Sequence, residues 1–204
     1  MALLSPEDKE RIRAATAAAE EHTSGEIVTV LTPASDEYHY IPALWAALAT
    51  MAVPLPLIYL LALPAGAVYT AQLVVFLALV LVLRLPRLRY AVIPAYIRHR
   101  RAHRRAMEQF LAQNLHTTAA RTGVLIFVSL GERHAEIIAD EGIYSKVGPE
   151  VWDKAVAALI SHIRSGDVAG GFVAAIGMCG EVLAEHFPPG AADHDELPNA
   201  VIIL

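Results

Sequence analysis

From Tyr40 to Leu83 the chain carries no Asp, Glu, Lys, Arg or His, a charge-free run of 44 positions. A helix needs about 20 apolar residues to cross a bilayer core, so one crossing is too short for this run and two fit it. The spacing predicts a first span near 41–63 and a second near 67–83, with Pro64-Ala65-Gly66 as the turn. Pro54 and Pro56 should kink the first span, as prolines do when neighbouring groups satisfy the freed carbonyls. Tyr40 and Trp45 stand where an aromatic belt would. The alternative, a helical hairpin buried inside a water-soluble core, demands more covering protein than 204 residues supply.

Composition agrees. Hydrophobic residues make up 55% and charged residues 18%, against about 45–50% and about 25% in an ordinary soluble domain. That excludes disordered and low-complexity classes. The single cysteine, Cys179, excludes a disulfide framework and a cysteine-based zinc cluster. The opening residues place acids where an export signal would be basic and then apolar.

Arg84, Arg87, Arg89, Arg98, Arg100, Arg101, Arg104 and Arg105 follow the charge-free run within an acid-free stretch and are eight of the chain's sixteen Lys and Arg residues. Positive charge flanking a span marks the cytoplasmic side. A hairpin returns to the side it left, so both termini and the soluble part are expected at the cytoplasmic face of the inner membrane. The same arginines are candidate contacts for anionic lipids, each worth about 1 kcal/mol near such a surface. Nucleic acid is the weaker partner for them, because the rest of the chain is acidic and no aromatics interleave with the arginines.

Around the run the pattern is α/β. Ser5-Pro6-Glu7-Asp8 reads as a capped helix start. Glu26–Thr32 reads as a strand. A helix is expected from Ile97 to about Thr117, with Met107, Phe110, Leu111, Asn114 and Leu115 as its buried stripe. Gly123–Leu130 reads as a central strand, and a tight turn at Gly131-Glu132 leads into a third strand, Arg133–Ala139, antiparallel to it. Two helices follow, from about Pro149 to Ser165 and from Val168 to His186. Residues 1–39 are too few to bury a core alone, so they and 97–187 form one domain, interrupted by the hairpin and basic segment 40–96. Residues 188–204 read as an acidic tail.

The stretches Ser24-Gly25-Glu26-Ile27-Val28-Thr29-Val30, Thr122–Leu130, Glu132–Ile143 and Ile163–Phe172, in this order, resemble the TPM domain family. That family groups thylakoid-lumen phosphatase-like and photosystem-repair proteins with bacterial membrane proteins and an animal receptor-associated protein. The resemblance covers about two thirds of the chain. It implies a Rossmann-like α/β sandwich with a mixed sheet, membrane association and, in some members, weak acid-phosphatase activity or calcium binding. The hairpin inside the domain and the short Asp140-Glu141-Gly142-Ile143 segment depart from the family's pattern.

Phosphomonoester hydrolysis without a phosphoenzyme needs a metal-activated water and neutralised leaving oxygens. Asp140 and Glu141, at the end of the third strand, are candidate ligands for Ca²⁺ or Mg²⁺, with Glu26 and Asp153 as complements. Solvated strand ends and a helix-dipole partner account for the same acids. Arg133 is a candidate phosphate contact, or a strand-edge charge paired with Glu136. His134 shares a strand face with Glu136. The chain has no Gly-x-Ser-x-Gly elbow and no phosphate-binding P-loop. Two functions result: a membrane-anchored module that assists or regulates a membrane protein complex, or a metal-dependent acid-phosphatase-like hydrolase. No residue pattern sets an oligomeric state.

Overall fold

Ser5 opens the first helix in the computed structural model, which describes residues 3–118, 121–189 and 197–204, the side chains of Pro86 and Arg87 excepted. The elements run α1 (Pro6–Glu20), β1 (Glu26–Thr32), α2 (Tyr40–Met51), α3 (Pro54–Tyr59), α4 (Ala65–Leu83), α5 (Pro86–Val92), α6 (Ala95–Ala112), β2 (Gly123–Ser129), β3 (His134–Ala139), α7 (Glu141–Tyr144), α8 (Pro149–Arg164), α9 (Val168–His186) and β4 (Ile202–Ile203). They divide into two compact units, Met1–Ser35 with Arg101–Leu204, and Asp36–Arg100.

In the first unit a capping box starts α1. The Asp8 amide donates to Ser5 Oγ at 3.0 Å, and the Ser5 amide donates back to Asp8 Oδ2 at 3.1 Å. The sheet is mixed, in the order β3-β2-β1-β4. β1 and β2 pair in parallel from Glu26↔Gly123 to Thr32↔Ser129, and β3 returns antiparallel to β2. Every residue of β1 and β2 is buried, as expected for central strands covered on both faces. One face packs Ile27, Leu31, Val124, Ile126 and Val128 against α1, α8 and α9. The other packs Val28, Val30, Leu125 and Phe127 against α6. Helix, sheet, helix makes three layers.

Three details differ from the sequence expectation. α6 ends at Ala112, because Asn114 turns left-handed (φ 59°) before a 3-10 turn at Leu115–Thr117. Its buried stripe is Ala102, Ala106, Gln109 and Phe110, while Met107 and Leu111 stay exposed; the small alanines let the helix sit close to the sheet. β3 begins at His134, because Arg133 occupies the turn with φ +53°. The residues read as an acidic tail also hold a strand. β4 pairs in parallel with β1 at Val30↔Ile202 and Leu31↔Ile203, and the Leu204 amide donates to the Leu31 carbonyl. The acids around Asp195 lie outside the described residues.

The second unit holds α2, α3, α4 and α5. α2 breaks at Ala52-Val53, directly before Pro54, which has no N–H to continue the ladder. α2 with α3 (Tyr40–Tyr59, 20 residues) and α4 (19 residues) are each long and apolar enough to cross a membrane. Only Val68 of α4 is buried. α9 also has the length and apolarity, but nine of its residues are buried, among them Phe172, Ile176 and Leu183, and it fills the core between α1 and α8. At one end of the unit Tyr38 is fully buried, edge-on to Tyr90 with ring centroids 6.2 Å apart.

Candidate functional site

The carboxyl ends of parallel strands are where open α/β sheets bind ligands, and β1 and β2 end in a polar cluster. Thr32 and Ser129, paired in register, are both buried. Ser35 Oγ and Ser129 Oγ are 2.9 Å apart. The buried carboxylate of Glu132 accepts the Ser129 hydroxyl in a short hydrogen bond and the Ser35 amide at 3.0 and 3.1 Å. Two loops from distant parts of the chain are thereby tied together, and the tie sets the turn that carries Arg133.

Beside this turn lies a cavity of about 470 Å³, lined by Ser129, Leu130, Arg133 and His134 on one side and by Ile160, Ile163 and Arg164 of α8 on the other. Arg133 and Arg164 are exposed, and neither has a carboxylate partner among the described residues. Two guanidinium forks on one cavity with an apolar wall have the chemistry that suits an anion. Arg133 is thus placed with a second arginine from 31 positions further on, which sequence spacing does not signal.

Arg133 does not pair with Glu136. Glu136 takes two histidines instead: His103 Nδ1 at 2.8 Å from Oε2, and His134 Nε2 at 3.1 Å from Oε1. Burial pushes the Glu136 carboxyl up, but the hydrogen bonds and charge of His134 and His103 outweigh that and hold it below the usual range. This triad joins α6 to β3.

The acids proposed for a divalent cation are at the opposite end of the strands. Glu26 and Asp140 are buried and flank Gly123, Glu26 as its partner in β1 and Asp140 by its amide donating to the Gly123 carbonyl. Asp140 Oδ1 caps α7 through the Glu141 amide at 2.7 Å and lies 3.9 Å from Arg121 Nη1. Its Oδ2 is buried with no hydrogen-bond partner among the described residues. Glu141 and Asp153 are exposed. A Ca²⁺ site uses about 6–8 oxygens, whereas among the described residues no three His, Cys, Asp or Glu side chains are gathered for a metal. The four acids do not fit a cation cage.

The arginines divide between the units. Arg84, Arg89, Arg98 and Arg100 belong to Asp36–Arg100, and Arg101, Arg104 and Arg105 to the α/β unit. Arg104 and Arg105 both reach Glu108, at 3.5 and 3.2 Å, so their charges are partly neutralised. The Arg87 side chain lies outside the described residues. Cys179 is fully buried, and burial pushes its thiol up to about 12.

Comparison with known proteins follows the sheet. The chain is similar in fold to the NMR structure of the BA42 protein from the psychrophilic bacterium Bizionia argentinensis, with a TM-score of 0.63 and 23% identity over 98% of this chain and 95% of that one. None of the curated proteins matches. Residues 87–182 match the model of the TPM domain family, and that segment holds α6, β2, β3, α8 and most of α9. Through this segment, just under half of its length, the chain is similar to the TPM domain family.

Proposed function

We propose that this chain is a membrane-anchored TPM-domain protein of the cytoplasmic membrane that assists or regulates a membrane protein complex. The observation that carries the anchor is the surface of α2, α3 and α4. Met51, Tyr59 and Leu60 are 70, 80 and 81% exposed, and Leu44, Leu55, Tyr69, Leu77 and Leu81 are also open. Exposed apolar surface running the length of two long helices is unfavourable in water by roughly 25 cal/mol per Å² and belongs in lipid. Arg84 and Arg89 just beyond α4 favour the cytoplasmic side for that end, and with it both termini.

Extraction of membranes with alkaline carbonate tests the anchor. The protein stays in the pellet; release into the supernatant overturns the reading. A reporter fused after Leu204 and active only in the cytoplasm should be active. Crosslinking in native membranes followed by pull-down should recover a membrane protein, and recovery of the chain alone removes the assisting role.

One observation favours a second reading, the divalent-metal-dependent acid-phosphatase-like hydrolase: Arg133 and Arg164 share a cavity with His134. The guanidinium groups would hold and neutralise a phosphate ester there. Turnover of a chromogenic phosphate ester, with and without Ca²⁺ or Mg²⁺, tests it. Arg133→Ala and Arg164→Ala should each lower kcat/KM by about tenfold or more, and absence of turnover with every cation removes this reading.

A further inference from the structure

We propose that the unit Asp36–Arg100 carries a discrete site for the phosphate of an anionic phospholipid, built from Arg84, Arg89 and His39. The proposal rests on the anchored reading above and names the lipid chemistry that one end of the hairpin recognises.

The three side chains line a cavity of about 410 Å³ with Pro42, Ala43 and Val80, a size within the roughly 300–1,000 Å³ of small-ligand sites. Chain position sets their depth. His39 directly precedes α2 and Arg84 directly follows α4, so both stand where the apolar helices end, at the level of headgroups. The cavity therefore has two kinds of wall. Pro42, Ala43 and Val80 lie on the helices and suit glycerol and acyl carbons. Arg84, Arg89 and His39 lie just beyond them and suit a phosphodiester.

Arg89 is held in place by neutral groups. Its Nη1 donates to the main-chain carbonyl of Glu37 at 3.2 Å, its Nη2 to Tyr90 Oη at 3.3 Å, and its guanidinium sits 5.0 Å from the centre of the Tyr90 ring. None of these neutralises its charge. Its Nε–H is buried and has no acceptor among the described residues. A buried donor without a partner is unfavourable, and a phosphate oxygen would supply the acceptor and the counter-charge together. Arg84 is exposed at the same cavity with no ion-pair partner among the described residues. The nearby acid, Glu37, is turned to His39, with Oε2 2.7 Å from Nε2. The lining itself contains two guanidinium groups and no carboxylate. That balance favours a lipid of net negative charge over a zwitterionic one, whose ammonium would meet the same arginines.

The test uses the full chain purified in a neutral detergent and returned to vesicles of phosphatidylcholine alone or with phosphatidylglycerol. Native mass spectrometry of the detergent-purified chain should show one phosphatidylglycerol retained, and titration should show phosphatidylglycerol preferred over phosphatidylcholine. The double variant Arg84→Gln, Arg89→Gln should weaken that binding about tenfold or more, while Arg104→Gln, Arg105→Gln leaves it unchanged. Arg84→Lys, Arg89→Lys keeps the charge but loses the forks, and should fall between. Thermal melting of each variant identifies any that fails to fold, in which case the lysine pair decides. Excess inorganic phosphate should not displace the lipid; displacement by phosphate alone makes the ligand a free anion and overturns the lipid assignment. If the protein enters both kinds of vesicle but the glutamine pair binds phosphatidylglycerol as the wild type does, the site is wrong and the anchor stands. If it enters neither, the anchor itself fails, and the site with it.

Discussion

His103 Nδ1 of α6 lies 2.8 Å from Glu136 Oε2 of β3, so the helix that covers one face of the sheet is tied to its edge strand by a histidine–carboxylate hydrogen bond. Because the Glu136 carboxyl is held below its usual value near 4.5, the charged form stabilises the fold above that value, and the contribution is lost as pH falls through the lower folded value. Glu136→Gln should therefore be less stable than the wild type at neutral pH, and the gap should close as the solution is acidified below pH 4.5. Chemical denaturation at a series of pH values reads the difference. Parallel curves at every pH would show that the pair contributes nothing.

Gly123 begins β2 where Leu115 crosses it. A Cβ built there would stand 2.5 Å from the Leu115 carbonyl oxygen, a backbone atom that cannot swing aside. Gly123→Ala should lower stability by about 1–3 kcal/mol, measured by urea unfolding of the full chain in detergent. Gly177→Ala, which meets nothing within 4 Å, is the matching control and should be neutral or slightly stabilising.

Deleting residues 201–204 removes β4, and with it the parallel pairing to Val30 and Leu31 and the packing of Ile202 on the α6 face. The truncated chain should melt at a lower temperature, and the amides of β1 should exchange faster with deuterium than in the full chain.

The Cys179 thiol, fully buried and pushed up to about 12, should resist alkylation at pH 8 in the folded chain and react promptly in denaturant. Fast labelling of the folded protein would mean that α9 opens readily.

The local signals that placed elements correctly all act within a few residues. The Ser5–Asp8 cap, the break before Pro54 and the apolar runs of β1 and β2 each carry their cause in adjacent side chains. What escaped the sequence depends on distant neighbours. Ile202-Ile203 is too short to read as a strand until Val30 and Leu31 stand beside it. Ala102 and Ala106 are weakly apolar, and Met107 and Leu111 outweigh them in any pattern, yet only the alanines allow α6 to approach the sheet. Arg133 was legible as a candidate anion contact, but Arg164 joins it only because α8 packs against β3. Glu132 reads from sequence as a turn residue and nothing more, and its role as a tie follows from Ser35, almost a hundred positions earlier.

β1 and β2 are neighbours in register from Glu26↔Gly123 onward, although the whole unit Asp36–Arg100 is translated between them. At about 5–20 residues per second, the first strand leaves the ribosome several seconds before its mate exists. During that interval seven residues destined for full enclosure have no partner, and the greasy segment that follows them emerges next. Maturation of this protein is thus a matter of timing: the nascent amino-terminal piece must be kept from sticking to other chains until synthesis has passed Ser129.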